Sequence, residues 1–268
     1  MWGRRTYVMG IINVTPDSFS GDGLAGDLDA IVRRALGFQE AGADLIDVGA
    51  ESTRPGHQPL GADEELERLA PVLDTLVQVI KIPISVDSYK SPVARWALKA
   101  GAAMINDVWG LKADPDIALA AAEAGAPLVL MHNQKTATYD DLLPDIFRSL
   151  SQSKRTALDA GVPEENIILD PGIGFGKTAE HNLEIFRRLG EFKSLGSPLL
   201  VGASRKSTIG RVLDLPPDQR VEGTAATVAL AIAAGADIVR VHDVTEMIRV
   251  CRMSDAIVRG WRPAGWTG

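Results

Sequence analysis

The sequence predicts an α/β protein folded as a (β/α)8 TIM barrel, a single domain over residues 1–268. Three observations carry that prediction. First, a Gly-Ala pair followed by a short apolar run with a polar end recurs four times: Gly42–Asp47, Gly101–Asn106, Gly125–His132 and Gly235–His242. Gly suits the position just past a helix, and the β-branched run behind it suits a buried parallel strand. Second, four more strand-like runs fall between the copies, so that eight βα units average about 33 residues each in 268, the size of such a barrel. Third, nearly every run ends in a polar residue, as strands do where they open into a barrel mouth. A doubly wound open sheet is the alternative, weakened by the lack of an early G-x-G-x-x-G after the first strand.

Along the chain, the first strand is read at Tyr7–Asn13 and the first helix at about Leu28–Ala41. The first Gly-Ala copy supplies the second strand. Apolar residues at Leu66, Leu69, Ala70, Leu73, Leu76, Val77 and Ile80 keep a 3.6-residue period, which puts the second helix at about Asp63–Ile80. Ile82–Asp87 is the third strand, Pro92–Ala100 the third helix, and the second copy the fourth strand. The helix Asp116–Ala124, the third copy, and the helix Asp140–Ala160 follow. Asn166–Asp170 and Pro198–Ala203 are the sixth and seventh strands, separated by the helix Ala179–Leu189. The helix Val221–Ala234, the last copy, and the helix Val244–Val258 complete the order. No linker or shift in composition divides the chain.

Composition excludes several classes. Apolar residues at 46% and charged residues at 24% are globular values, and a chain of this length buries a core without staples. The single cysteine, Cys251, rules out an intrachain disulfide and argues against a thiolate metal site. A net charge of −7 opposes duplex nucleic acid and anionic membranes. Without a signal-like or membrane-length apolar run, a cytoplasmic protein is expected.

The polar strand ends are Asn13, Asp47, Asp87, Asn106, His132, Asp170, Ser204, and Arg240 with His242. Any one strand-terminal Asp can be a helix cap or turn former. Converging on one rim, they suit a flat nitrogen-rich heterocycle joined to an anion, because carboxylates accept ring N–H groups and Arg forks onto oxyanions. Arg240 stands inside Ile238-Val239-Arg240-Val241, where a charge needs a partner or a ligand. Ser204-Arg205-Lys206-Ser207 follows the seventh strand, a common place for a phosphate site in barrels, although a solvated charged loop reads the same way. Pro171–Thr178 nearly spells a phosphate-binding loop but has Pro171 where the first Gly belongs, and is read as a tight turn. No pair of His shows metal-ligand spacing, so a protein-only zinc site is not expected. Magnesium held by one side chain and a pyrophosphate remains compatible.

Met9-Gly10-Ile11-Ile12-Asn13-Val14-Thr15-Pro16-Asp17-Ser18-Phe19-Ser20 resembles the opening signature of the dihydropteroate synthase family, and Asp47–Gly56 resembles its second signature. Pro83–Asp87, Ile105–Asp107, Asp170–Lys177, Ser204–Ser207 and Arg240–Val244 are similar to further family motifs, in family order, over about Tyr7 to Val258. The resemblance implies a TIM-barrel transferase that joins 6-hydroxymethyl-7,8-dihydropterin pyrophosphate to 4-aminobenzoate. The products would be 7,8-dihydropteroate and pyrophosphate, and sulfonamides would compete with the aminobenzoate. It also implies roles. Asp87, Asn106 and Asp170 would hydrogen-bond the pterin, Lys206 would reach its ring, and Arg240 would stack on it. Asn13 would bind Mg²⁺, and Thr53, Arg54, Arg240 and His242 would hold the pyrophosphate. Phe19, Pro55, Phe175 and Ser207 would shape the aminobenzoate pocket. Asp87, Lys206, Arg240 and His242 would carry the chemistry, and a homodimer is implied.

The sequence departs from the family at Gly21-Asp22-Gly23, where the acid arrives one residue late, and at Asn133-Gln134 after His132. The rival readings are a methyltetrahydrofolate–corrinoid methyltransferase and a non-catalytic pterin-binding paralogue. Ser204–Ser207 and the cations Arg54, Arg240 and His242 favour the synthase, since methyl transfer needs no anion clamp. The segments Val14–Leu24 and Ser52–Leu60, rich in Gly, Pro and Ser, are expected to order only when pyrophosphate and Mg²⁺ bind.

Overall fold

The computed structural model describes residues 2–14, 28–51 and 59–267. Their eight strands are β1 Tyr7–Asn13, β2 Leu45–Gly49, β3 Ile84–Asp87, β4 Met104–Asp107, β5 Leu128–Met131, β6 Ile167–Asp170, β7 Leu200–Val201 and β8 Ile238–Val241. All pairings are parallel, in the order β6-β5-β4-β3-β2-β1-β8-β7. One parallel bridge, Leu169 to Leu199, joins the two ends and closes the sheet. The helices of the described residues are α1 Leu28–Ala41, α2 Ala62–Val79, α3 Ser91–Ala100, α4 Asp116–Ala124, α5 Leu142–Asp159, α6 Ala179–Arg187, α7 Ser207–Leu213, α8 Val221–Ala233 and α9 Val244–Val258.

The Gly-Ala repeat proves to be a helix stop. Gly42, Gly101, Gly125 and Gly235 all have positive φ. In each copy the alanine N–H reaches back five residues: Ala43 to Phe38, Ala102 to Ala97, Ala126 to Ala121 and Ala236 to Ala231. That bond closes a Schellman motif, satisfies an orphan carbonyl and turns the chain into the next strand. Gly161-Val162 repeats the device after α5, with Val162 N–H on the Ala157 carbonyl.

Alternation along the strands sorts the core into two layers. Met9, Leu45, Met104, Val129, Ile168, Leu200 and Ile238 meet inside the barrel as an apolar plug. Their outward neighbours, among them Ile12, Ile46, Val86, Ile105, Leu128 and Leu169, pack with the surrounding helices. By the same alternation Asn13, Asp47, Asp87, Asn106, Asp170 and Arg240 point inward above the plug.

Two elements differ from expectation. The seventh strand, read as Pro198–Ala203, pairs with β8 only over Leu200–Val201. Leu199 N–H donates to the Asp237 carboxylate at 3.0 Å instead of to a ladder carbonyl, so a side chain replaces part of the pairing. The helix α7 was not expected. It has only seven residues, and Gly210 in its middle hides the helical pattern. A Cβ at Gly210 would fall 2.2 Å from the Arg220 guanidinium. No helix of the described residues is long and apolar enough to cross a membrane.

Candidate active site

The register brings the inward polar residues to one level. Asn13 pairs with Gly49, Gly49 with Asp87, and Asp87 with Asn106. One step lower, Ile11 pairs with Asp47 and Asp47 with Ser85. A side chain at Gly49 would crowd Asp87, because its Cβ would lie 3.2 Å from the Asp87 Cβ. Glycine there leaves the carboxylate room at the mouth.

Arg240 finds the partners its apolar setting demands. Its Nε donates to Asp47 Oδ2 at 2.6 Å and its Nη2 to Asp87 Oδ2 at 2.9 Å. Asn106 Nδ2 donates to the same Asp47 oxygen at 3.0 Å. Two buried acids, an amide and a guanidinium thus form one network across four strands. It leaves Asp47 Oδ1 buried without a hydrogen-bond partner. Burial pushes the Asp87 carboxyl up to about 7, against the pull of Arg240.

Asp170 ends β6 with its Oδ1 accepting the Gly172 N–H at 2.7 Å. Burial raises its carboxyl above the ordinary value, opposed by Lys206. Lys206 donates to the Ile173 carbonyl, and its ammonium lies 4.4 Å from the centre of the Phe175 ring. Burial lowers this lysine to about 8, while Asp170 supports its charge. Phe175 and Lys206, read from separate motifs, therefore meet. His242 Nδ1 sits 3.0 Å from Ser204 Oγ, which also accepts the His242 N–H at 3.2 Å. Ser207 begins α7 and is exposed.

Some expectations change. His132 does not join the rim: its Nδ1 lies 2.8 Å from Lys177 Nζ, its ring neighbours Tyr139, and the inward place at this strand end falls to Met131. Burial drops its pKa to about 2, so it stays neutral. Lys177, the lysine of the near phosphate-loop motif, also donates to the Phe175 carbonyl at 2.9 Å. Burial holds it well below the usual lysine value, and it serves the loop instead of offering itself to a phosphate. Phe19, Asp22, Thr53, Arg54 and Pro55 lie outside the described residues.

Sequence reasoning missed a second charged network. Lys90 bridges Glu51 and Glu65, and the Tyr89 hydroxyl donates to Glu51 Oε1 at 2.6 Å. The missed signal was the buried Glu65, whose place on α2 reads as solvent-facing in a run of acids. A cleft of about 560 Å³ on the barrel flank, near Lys112, Pro115 and Arg148, includes none of the mouth residues.

A parallel barrel with carboxylates, an amide, a lysine and an arginine gathered at the strand C-termini is built as an enzyme for a polar heterocycle bearing an anion. Residues 9–242 match the family of pterin binding enzymes. The dihydropteroate synthase of Bacillus subtilis is 52% identical over 255 residues, covering 95% of this chain and 90% of the relative. That of Escherichia coli K12 is 44% identical, covering 93% and 91%. A Clostridium difficile dihydropteroate synthase solved in the presence of pteroic acid superposes with TM-score 0.93 at 51% identity, covering 96% of this chain and 98% of that one. The Yersinia pestis enzyme with a sulfonamide drug gives 0.91 at 42% identity, covering 96% of both. The chain belongs to the pterin-binding enzyme family, among the dihydropteroate synthases.

Proposed function

We propose that the mouth network reads the pterin and that the β7 and β8 ends hold its pyrophosphate during the synthase reaction. That reaction is the condensation of 6-hydroxymethyl-7,8-dihydropterin pyrophosphate with 4-aminobenzoate, a transfer to nitrogen with pyrophosphate as leaving group. The observation that carries the residue assignment is the Asp47–Arg240–Asp87 network with Asn106, facing Asp170 and Lys206 across the barrel. The likeness to structures solved with pteroic acid and with a sulfonamide supports it.

In this reading Asp87, Asn106 and Asp170 hydrogen-bond the ring, and the charge of the two aspartates favours the cationic pterin methylene that forms as pyrophosphate leaves. Arg240 and His242 meet the departing anion, and Ser204 holds the His242 ring in place. Lys206 and Phe175 flank the position of the incoming aminobenzoate amine, with Ser207 at the exposed start of α7. The amine is a sufficient nucleophile once the cation has formed, so no covalent intermediate is required.

Magnesium fits the inward amide of Asn13 only as a single protein ligand. No group of three or more metal-binding side chains gathers among the described residues, so phosphate oxygens and water would complete its shell. When bound it would neutralise charge on the pyrophosphate. The chain is read as one barrel domain that pairs as a homodimer through exposed apolar residues of α7, α8 and α9, including Val212, Leu230, Met253 and Ile257. Sedimentation velocity separates dimer from monomer.

The deciding experiment measures pyrophosphate released from the pterin pyrophosphate with and without 4-aminobenzoate. Release that depends on the aminobenzoate and yields dihydropteroate is expected; none with both substrates present overturns the assignment. A pH effect follows. The Asp87 carboxyl, pushed up to about 7 by burial in the free protein, accepts ring N–H groups with both oxygens only when ionised. Ligand donors lower that value, so binding releases a proton near neutrality and pterin affinity falls as the pH drops below 7. Calorimetry in two buffers of different ionisation enthalpy reads the proton. Identical heats in the two buffers refute this role.

A further inference from the structure

We infer that Asn182 is a positioning residue for Lys206: its buried amide locks the loop after β6 onto the first turn of α7 and thereby fixes the lysine at the barrel mouth. The inference rests on the reading above only in taking Lys206 to work at the substrate.

Asn182 lies in α6 and is 1% exposed. Its Oδ1 accepts the Gly174 N–H at 2.8 Å, and its Nδ2 donates to Thr208 Oγ1 at 2.9 Å. The amide's orientation follows from its partner, since a backbone N–H can only donate. The helix start holds Asn182 in turn: Thr178 Oγ1 caps α6 by accepting the His181 N–H at 3.1 Å, and Asn182 N–H bonds the Thr178 carbonyl.

Both partners belong to the bed of Lys206. Gly174 lies against the lysine stem, where an added Cβ would come within 2.9 Å of Lys206 Cδ. Its neighbours complete the contact, Ile173 through its carbonyl and Phe175 through its ring. Thr208 stands two residues after Lys206, and the Ile209 N–H bonds the Lys206 carbonyl. One amide therefore clamps the loop beneath the side chain to the helix that carries its backbone. The Asn182–Thr208 contact is buried, so losing either partner leaves a polar group there without a substitute.

The charged groups facing Lys206 are Asp170 on β6, Asp87 on β3, Arg240 on β8 and Lys177 on the loop. Burial sets its amine at about 8. If the clamp opens, water reaches the amine and its pKa climbs toward the ordinary lysine value.

The test compares N182L, T208V and T208S with the parent and with K206A, in the pyrophosphate-release assay across pH. N182L removes both bonds of the clamp and T208V the bond to Thr208, each keeping the branched shape of the side chain, and T208S keeps the hydroxyl. The expected result is a fall in kcat/KM of about tenfold or more for N182L and T208V, with the basic limb of the pH profile displaced upward. T208S should match the parent in both. Thermal melts confirm folding, and T208V decides the question if N182L does not fold. A basic limb that stays in place in T208V overturns the inference, whether or not activity falls, because a merely structural bond does not move it. K206A keeping full activity would instead overturn the placement of Lys206 at the substrate.

Discussion

Asp170→Asn is expected to abolish pterin binding and leave the fold standing. The aspartate ends β6 at the mouth, and its Oδ1 is occupied by the Gly172 N–H at 2.7 Å. That turn has little freedom: Gly172 has φ of +72°, and a Cβ there would lie 1.9 Å from the His132 carbonyl oxygen. Asparagine can keep the bond to Gly172 with its own carbonyl oxygen. Its amide nitrogen must then face the ligand where Oδ2 stood, presenting a donor to the ring's donors. The contact turns from attractive to repulsive, and the negative charge that supports both Lys206 and the pterin cation disappears. The loss should be about 2–5 kcal/mol, the scale for a broken buried charge-assisted contact. Calorimetric titration with a pterin measures it, and an unchanged Kd removes Asp170 from the site. Because the Gly172 bond survives, the unfolding midpoint should stay within a few degrees of the parent's.

The architecture was legible because its punctuation is local. A Gly-Ala pair that closes a Schellman motif is written in two residues, and four copies of it fix four helix ends and four strand starts. The helices α1, α4 and α9 have the bounds read from the sequence. What escaped depends on distant partners. The seventh strand shortens because Asp237, 38 residues on, takes the Leu199 N–H. The helix α7 was hidden by Gly210, where an added Cβ would meet the Arg220 guanidinium.

The site was legible to a similar depth. Counting polar strand ends put Asp87, Asn106, Asp170 and Arg240 at one mouth, and a lone arginine in an apolar run announced a partner or a ligand without saying which. Asp47 had been read only as a strand end, yet it accepts from both Arg240 and Asn106. His132 was misplaced because the reading counted polar strand ends without their parity; Met131, one residue earlier, takes the inward position. Asn182 carried no signal at all. It reads as an unremarked helix residue, and only the meeting of a loop and a helix 34 residues apart, at Gly174 and Thr208, gives its amide a purpose.

Arg240→Ala should destabilise the protein as well as weaken pyrophosphate and pterin-pyrophosphate binding. The guanidinium is the cation of a network that contains Asp47, fully buried, and Asp87, whose side chain is 10% exposed. Removing it leaves two carboxylates at the centre of the barrel with Asn106 as the remaining donor from the network and with Asp47 Oδ1 already unpartnered. Breaking one side of such a pair costs about 3–5 kcal/mol, most of it from the charge left behind. The sign of the pH effect identifies that charge. Burial raises Asp87 to about 7 and Arg240 opposes the rise, so the variant's carboxyl moves higher still. A carboxyl raised in the folded state favours folding below its unfolded value, and this contribution is lost as pH rises through the folded value. The deficit of Arg240→Ala relative to the parent should therefore be small in acid and reach its full size only above 7. Adding Asp87→Asn removes one of the stranded charges and should recover part of the loss, so that the double variant is more stable than Arg240→Ala alone above neutrality. Denaturant melts of the parent, Arg240→Ala, Asp87→Asn and the double variant across pH measure both effects. A deficit that does not change with pH, or a double variant no more stable than Arg240→Ala, would mean that the arginine contributes packing and not neutralisation.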